Sequence, residues 1–132
     1  MILLDTPVLA ALLRADPSPA LLDWFAGQPA ASLYVSTVTE AELLTAATRQ
    51  PQAKRLIAAI DEMMDTDFSG RILPFDSAAA RDLAAINARN SLPAATAMLA
   101  AIARANGATL ATDTPDAYAV TGIETVNPYD PR

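Results

Sequence analysis

Met1-Ile2-Leu3-Leu4-Asp5-Thr6-Pro7 opens the chain, and the reading of this stretch decides the fold class. Its four apolar residues show no alternation, which predicts a strand covered on both faces. Thr6-Pro7 predicts a helix start, with Thr6 at the N-cap and proline in the first helical position. Asp5 then falls at the carboxyl end of a central strand, the edge of open α/β sheets at which ligands bind. A helix-capping or turn aspartate is the structural alternative for the same residue.

Outward from this start, short apolar runs alternate with longer helical ones. Helices are expected over residues 6–14, from the turn Asp16-Pro17-Ser18-Pro19 to about Gly27, and from a Ser36 or Thr37 cap to about Arg49. Pro51 restarts the chain into a long helix to about Phe68, with Leu56, Ile57, Ile60, Met63 and Met64 as its apolar stripe and Gly70 as its stop. Asp76 caps a helix carrying Ala79, Leu83 and Ile86, and a nearly all-apolar helix over 94–105 ends at Asn106-Gly107. Strands are expected over 33–36, 71–75, 108–112 and 123–126. The alternation implies one three-layer α/β/α domain over 1–132, with a central parallel sheet and residues 51–68 as a helical-hairpin insertion.

Composition removes whole classes of mechanism. The chain has no cysteine and no histidine, which excludes disulfides, thiolate nucleophiles, the usual zinc sites and Ser-His-Asp triads. Acid-base or metal chemistry falls to Asp and Glu, helped by Ser, Thr, Tyr or water, and an all-oxygen donor set favours Mg²⁺ or Mn²⁺. A net charge of −6 argues against broad nonspecific nucleic-acid binding. A specific nucleic-acid enzyme with a local basic rim, or with a basic partner, stays compatible with it. Apolar runs break well before the roughly 18 residues of a membrane span, and the first run stops at Asp5, unlike a signal peptide. A cytoplasmic protein with no membrane partner is the expectation.

The acids converge on one edge if the first and fourth apolar strands are neighbours, since Asp113 follows the latter at once and Asp116 three residues later. Glu40 and Glu42 lie two apart on a helix, about 200° around its axis, so only one can face the sheet. Glu42, beside Leu43 and Leu44, is the candidate, and Glu40 suits an exposed acid near the helix N-terminus. Other α/β classes with an early strand-end aspartate fit less well. Pro7 stands where a haloacid-dehalogenase-like phosphatase needs its second Asp, the one lysine, Lys54, is not on a late strand as in receiver domains, and no glycine-rich dinucleotide turn follows the first strand.

The segments MILLDTPV (1–8), STVTEAEL (36–43), GRILPFD (70–76) and AMLAAIARANGATLATDTPDAYAVTGIETVNPY (97–129) resemble, in order and over nearly the whole chain, PIN-domain proteins of the VapC/FitB toxin group. The resemblance implies a Mg²⁺- or Mn²⁺-dependent endoribonuclease that hydrolyses RNA phosphodiester bonds, forms a homodimer, and is neutralised by a VapB-like antitoxin. Asp5 matches the first metal-binding acid of that group and Glu42 the second. Other site positions depart: Thr96 stands where a third acid is usual, Asp113 and Asp116 look displaced by one position, Pro7 replaces an Asn, and the loop over 90–93 looks shortened. The expected catalytic and metal-binding set is therefore Asp5, Glu42, Asp113 and Asp116, the last two compensating if their loop reaches inward. A catalytically weakened PIN domain kept as a protein-binding module is the alternative. Arg14, Arg49, Lys54 and Arg55 are candidates for RNA-backbone contacts, or else complement helix dipoles. Trp24, Phe25, Met63 and Met64 read as packing residues, and Tyr118 as a loop tyrosine anchored on the sheet.

Overall fold

Leu3 and Leu4 are both fully buried, on opposite faces of one sheet, which is why the first strand shows no polar alternation. The computed structural model describes residues 1–131. In it β1 (Ile2–Leu4) runs between β2 (Leu33–Ser36) and β4 (Thr109–Ala111), with β3 (Ile72–Leu73) beyond β2 and β5 (Thr125–Val126) beyond β4. Every pairing is parallel. Ile2 lies opposite both Leu33 and Thr109, and Leu4 opposite Ala111.

Two hydrophobic cores follow from the alternation of side chains along these strands. Leu4, Val35 and Ala111 face α1 (Thr6–Leu12), α2 (Pro19–Ala26), α3 (Thr37–Thr48) and α4 (Ala53–Glu62). Leu3 and Leu110 face α5 (Ser77–Asn87) and α6 (Ala94–Asn106). The expected three-layer α/β/α arrangement is the one observed. Along α6, Ala100, Ala101, Ile102 and Ala103 are all fully buried, and the small alanine side chains let α5 and the sheet approach closely. Gly107 takes a left-handed φ of 63°, which lets the Gly107 and Ala108 N–H groups donate back to the Arg104 and Ala103 carbonyls and end the helix. Among the described residues no helix is long and apolar enough to cross a membrane.

Several local expectations are corrected. Asp5, not Thr6, is the N-cap of α1, and Pro7 is the second helical residue. The helix expected over 51–68 is α4 followed by one π-helical turn, Met63–Asp67. Five α-helical steps would carry Phe68 about 140° around the axis from Met63. The wider turn, closed by the Phe68 N–H on the Met63 carbonyl at 3.1 Å, brings Phe68 back to bury beside Met63 and Met64. α3 and α4 pack against each other, so the hairpin is formed by these two helices and not within residues 51–68. Trp24 and Phe25 meet edge to face at 5.7 Å on the first core, the packing role expected of them.

Because Ile102 is fully enclosed in the second core, Ile102→Ala should lower the unfolding free energy by about 3 kcal/mol in urea titrations, while Ala58→Ser on the exposed face of α4 should change it by less than about 0.5 kcal/mol.

Candidate active site at the carboxyl edge of the sheet

The register between β1 and β4 sets the site. With Leu4 opposite Ala111, the next residues, Asp5 and Thr112, leave the sheet side by side, and the Asp5 N–H donates to the Ala111 carbonyl at 2.9 Å. Asp5 is only 5% exposed, and its carboxylate accepts three hydrogen bonds. Oδ1 takes the Thr6 N–H at 2.8 Å and, more weakly, the Tyr118 hydroxyl at 3.4 Å; Oδ2 takes the Thr112 hydroxyl at 2.8 Å. Asp5 is therefore the cap of α1 and, at the carboxyl edge of the sheet, also lines a pocket, so its capping role does not exclude the other reading. Burial pushes its carboxyl above the ordinary range, the hydrogen bonds from Thr112 and Thr6 pull it back, and the charge of Asp113 adds to the rise. Tyr118 rests its ring in the second core, as expected of it, and burial together with the Asp5 charge keeps its phenol protonated.

Thr6 joins the second acid to the first. Its N–H holds Asp5, while its hydroxyl donates to Glu42 Oε1 at 2.7 Å. Behind it, Thr6 and Thr39 hydroxyls lie 2.9 Å apart, and Ser36 donates to Thr39 at 3.3 Å. One direction satisfies the whole chain: Ser36 to Thr39 to Thr6 to Glu42. Ser36 and Thr39 are fully buried, so these hydroxyls need internal partners, and the line ends on a carboxylate that can accept. Ser36 also caps α3 by accepting the Thr39 N–H at 3.0 Å, so the helix start that carries Glu42 is itself part of the network.

These groups border a pocket of about 230 Å³ whose walls include Asp5, Thr6, Glu42, Thr96, Thr114 and Tyr118. Asp5 and Glu42 are thus brought together; Asp113 and Asp116 are exposed and neither lines the pocket. Their neighbours Thr114 and Ala117 do. Glu40 lies in the first turn of α3, half-exposed and outside the pocket. Of the basic candidates, Arg49 shares a shallow depression with Glu42, while Arg14 lines a groove between α1, α3 and α4; Lys54 and Arg55 are exposed and line neither. Residue-type reasoning placed Thr6 only as a cap and passed over Thr39 and Thr112. Complete burial of a threonine hydroxyl was the available signal, and burial belongs to the tertiary structure.

Among the described residues no group of three or more acids stands close enough to enclose a metal ion. The pocket nevertheless offers hard donors only: two carboxylates and the hydroxyls of Thr6, Thr96 and Thr114. That set suits Mg²⁺, which is commonly held by one or two carboxylates with water and substrate phosphate completing its octahedron.

A profile of the PIN domain family matches residues 2–122. The chain is similar to the plasmid stability protein StbB of Pseudomonas syringae pv. tomato, at 34% identity over 98% of this chain and 99% of that one. It is similar at 32% identity to the VapC ribonuclease Y4jK of Sinorhizobium fredii, over 99% of each. The crystal structure of FitAcB from Neisseria gonorrhoeae superposes with a TM-score of 0.86 at 29% identity, covering 98% of this chain and 99% of that one.

Burial raises the Asp5 carboxyl, so the metal-free folded chain holds that proton more tightly than the unfolded chain. The resulting stabilisation is present below the ordinary carboxylate pKa and is lost as pH rises through the raised one. Asp5→Asn keeps an acceptor for the Thr6 N–H and removes the charge. In urea unfolding with chelator present, the variant should gain stability relative to wild type as pH rises from about 4 through the raised Asp5 value. A difference that stays constant across that window would contradict burial as the dominant influence.

Proposed function

The chain belongs to the PIN domain family, in its VapC/FitB-like toxin group, and from that premise we propose that it is the toxin of a toxin–antitoxin pair, an endoribonuclease that hydrolyses RNA phosphodiester bonds with Mg²⁺ or Mn²⁺ held at Asp5 and Glu42. The observation that carries this reading is the double use of Thr6, which sets both carboxylates at one pocket on the ligand edge of the sheet. A bound cation supplies charge against the developing negative charge on phosphorus and makes water a better nucleophile. The protein's own part is positional. Thr112 and the Thr6 N–H fix the Asp5 rotamer, and the Ser36–Thr39–Thr6 line fixes Glu42. Leu99 and the Tyr118 ring restrict water, and Arg49 offers a cation for the RNA backbone at the rim.

The antitoxin is the partner in this proposal, and an apolar surface supports it. Leu13, 45% exposed, lies between two grooves, one of about 440 Å³ with Leu9, Phe25 and Phe68, the other of about 610 Å³ with Leu43, Leu56 and Ile60. An amphipathic segment of a small basic antitoxin would cover both, its charge matching a chain of net charge −6. The fold's resemblance to the FitAcB structure supports such a partner, and self-association into a homodimer is part of the same proposal.

A second reading is favoured by one observation, the presence of Thr96, Thr114 and Ala117 on the pocket wall where further acids would strengthen a cation site. In that reading the chain binds its antitoxin and cleaves nothing.

Asp5→Asn and Glu42→Gln should each lower cleavage of a mixed RNA substrate by about 100-fold, with chelator removing the rest. Cleavage unchanged by either substitution would sink the assignment, and no cleavage by wild type under any divalent cation would leave the binding reading. Leu13→Asp should keep the circular dichroism spectrum and weaken capture by a VapB- or FitA-like antitoxin that binds the wild type by at least about tenfold; undiminished capture would place the partner's contact elsewhere on the surface.

A further inference from the structure

Acceptor capacity at the pocket is limited in a way that the identities of its residues do not reveal. A carboxylate has about four acceptor positions. On Asp5 three are filled: two on Oδ1, by the Thr6 N–H and the Tyr118 hydroxyl, and one on Oδ2, by the Thr112 hydroxyl. One position on Oδ2 is left for a cation. Glu42 gives up one position to Thr6. The rest of the wall brings no negative charge, since Thr96, Thr114 and Ala117 line it and Asp113 and Asp116 do not. A divalent ion seated here meets two anionic side chains, one of them reduced to a single oxygen lone pair, against an octahedral demand of six oxygens.

We infer that this chain does not retain a divalent cation by itself and takes one up only together with a phosphate group, whose oxygens supply the anionic ligand that Thr96 withholds. The inference rests on the assignment of Asp5 and Glu42 as cation ligands. It makes cation and substrate binding cooperative, and the cooperativity is reciprocal: whatever factor phosphate adds to cation affinity, the cation adds to phosphate affinity. Thr96 is the determinant of the effect. It stands in the first turn of α6 beside the Tyr118 hydroxyl, its hydrogen-bond partner, where a carboxylate would be favoured by the helix N-terminus and would border the same pocket, so Thr96→Asp adds a third negative charge to the wall. Tyr118 is a positioning residue with the opposite sense, because its hydroxyl occupies an Asp5 lone pair that a cation could otherwise use.

The test is Mn²⁺ titration of the whole chain by calorimetry, repeated with uridine 5′-monophosphate after subtraction of the nucleotide's own Mn²⁺ binding. Wild type should show weak, unsaturated binding alone and at least about tenfold tighter binding with the nucleotide. Thr96→Asp should bind Mn²⁺ without nucleotide at least about tenfold more tightly than wild type, and the nucleotide effect should shrink. Tyr118→Phe should also tighten nucleotide-free binding, and Asp5→Asn should abolish binding in every background. Tight, saturable Mn²⁺ binding by wild type alone, unchanged by Thr96→Asp, would overturn the inference and leave the cation assignment standing. Absence of binding in all variants, nucleotide included, with native circular dichroism, would overturn the cation assignment together with the inference.

Discussion

The buried carboxylate of Asp5 is the interaction on which the rest of the structure depends. It accepts from the N-terminal amide of α1, from Thr112 at the end of β4 and from Tyr118 in the turn that leads toward β5, so one group ties together three parts of the chain distant in sequence. A carboxylate out of water is costly unless its lone pairs are satisfied, and each of these donors is itself positioned by the fold that Asp5 helps assemble. The consequence is mutual: β1 and β4 must pair in register for Thr112 to reach Asp5, and Asp5 must be present for α1 to begin where it does.

The same economy of groups sets the character of the site. Thr6 serves both acids through two different atoms, and the hydroxyl line from Ser36 through Thr39 gives Glu42 an orientation although the carboxylate itself is exposed. Glu42 is held from beneath by Thr6 and open above. Asp5 is held on three sides and open on one. The pocket wall carries two carboxylates and is otherwise uncharged.

Much of the architecture was legible because its causes are local. Unbroken apolar runs marked the buried strands, Ser36 and Asp76 were readable as caps, and Gly107 as a left-handed stop, since each acts within a few residues of itself. The π-helical turn after α4 was not legible, because it arises from the demand that Met63, Met64 and Phe68 reach one core. The displaced acids were ambiguous for a geometric reason. Asp113 follows Thr112, whose side chain faces Asp5, so alternation sends Asp113 the other way. Asp116 and Ala117 are successive residues of a 3₁₀ turn, about 120° apart, so a displacement of one position exchanges the pocket for solvent.

The sequence by itself determined the order of strands and helices along the chain, the parallel α/β class, the absence of thiol and imidazole chemistry, and the placement of Asp5 at a strand end, because periodicity, capping and composition are properties of short stretches. Only the tertiary structure decided which acids meet, that Thr6 joins Asp5 to Glu42, and that three donors consume most of the Asp5 acceptor capacity. Those outcomes depend on strand register and on the rotation of single residues in turns, where a shift of one position reverses the direction of a side chain and leaves the local pattern unchanged.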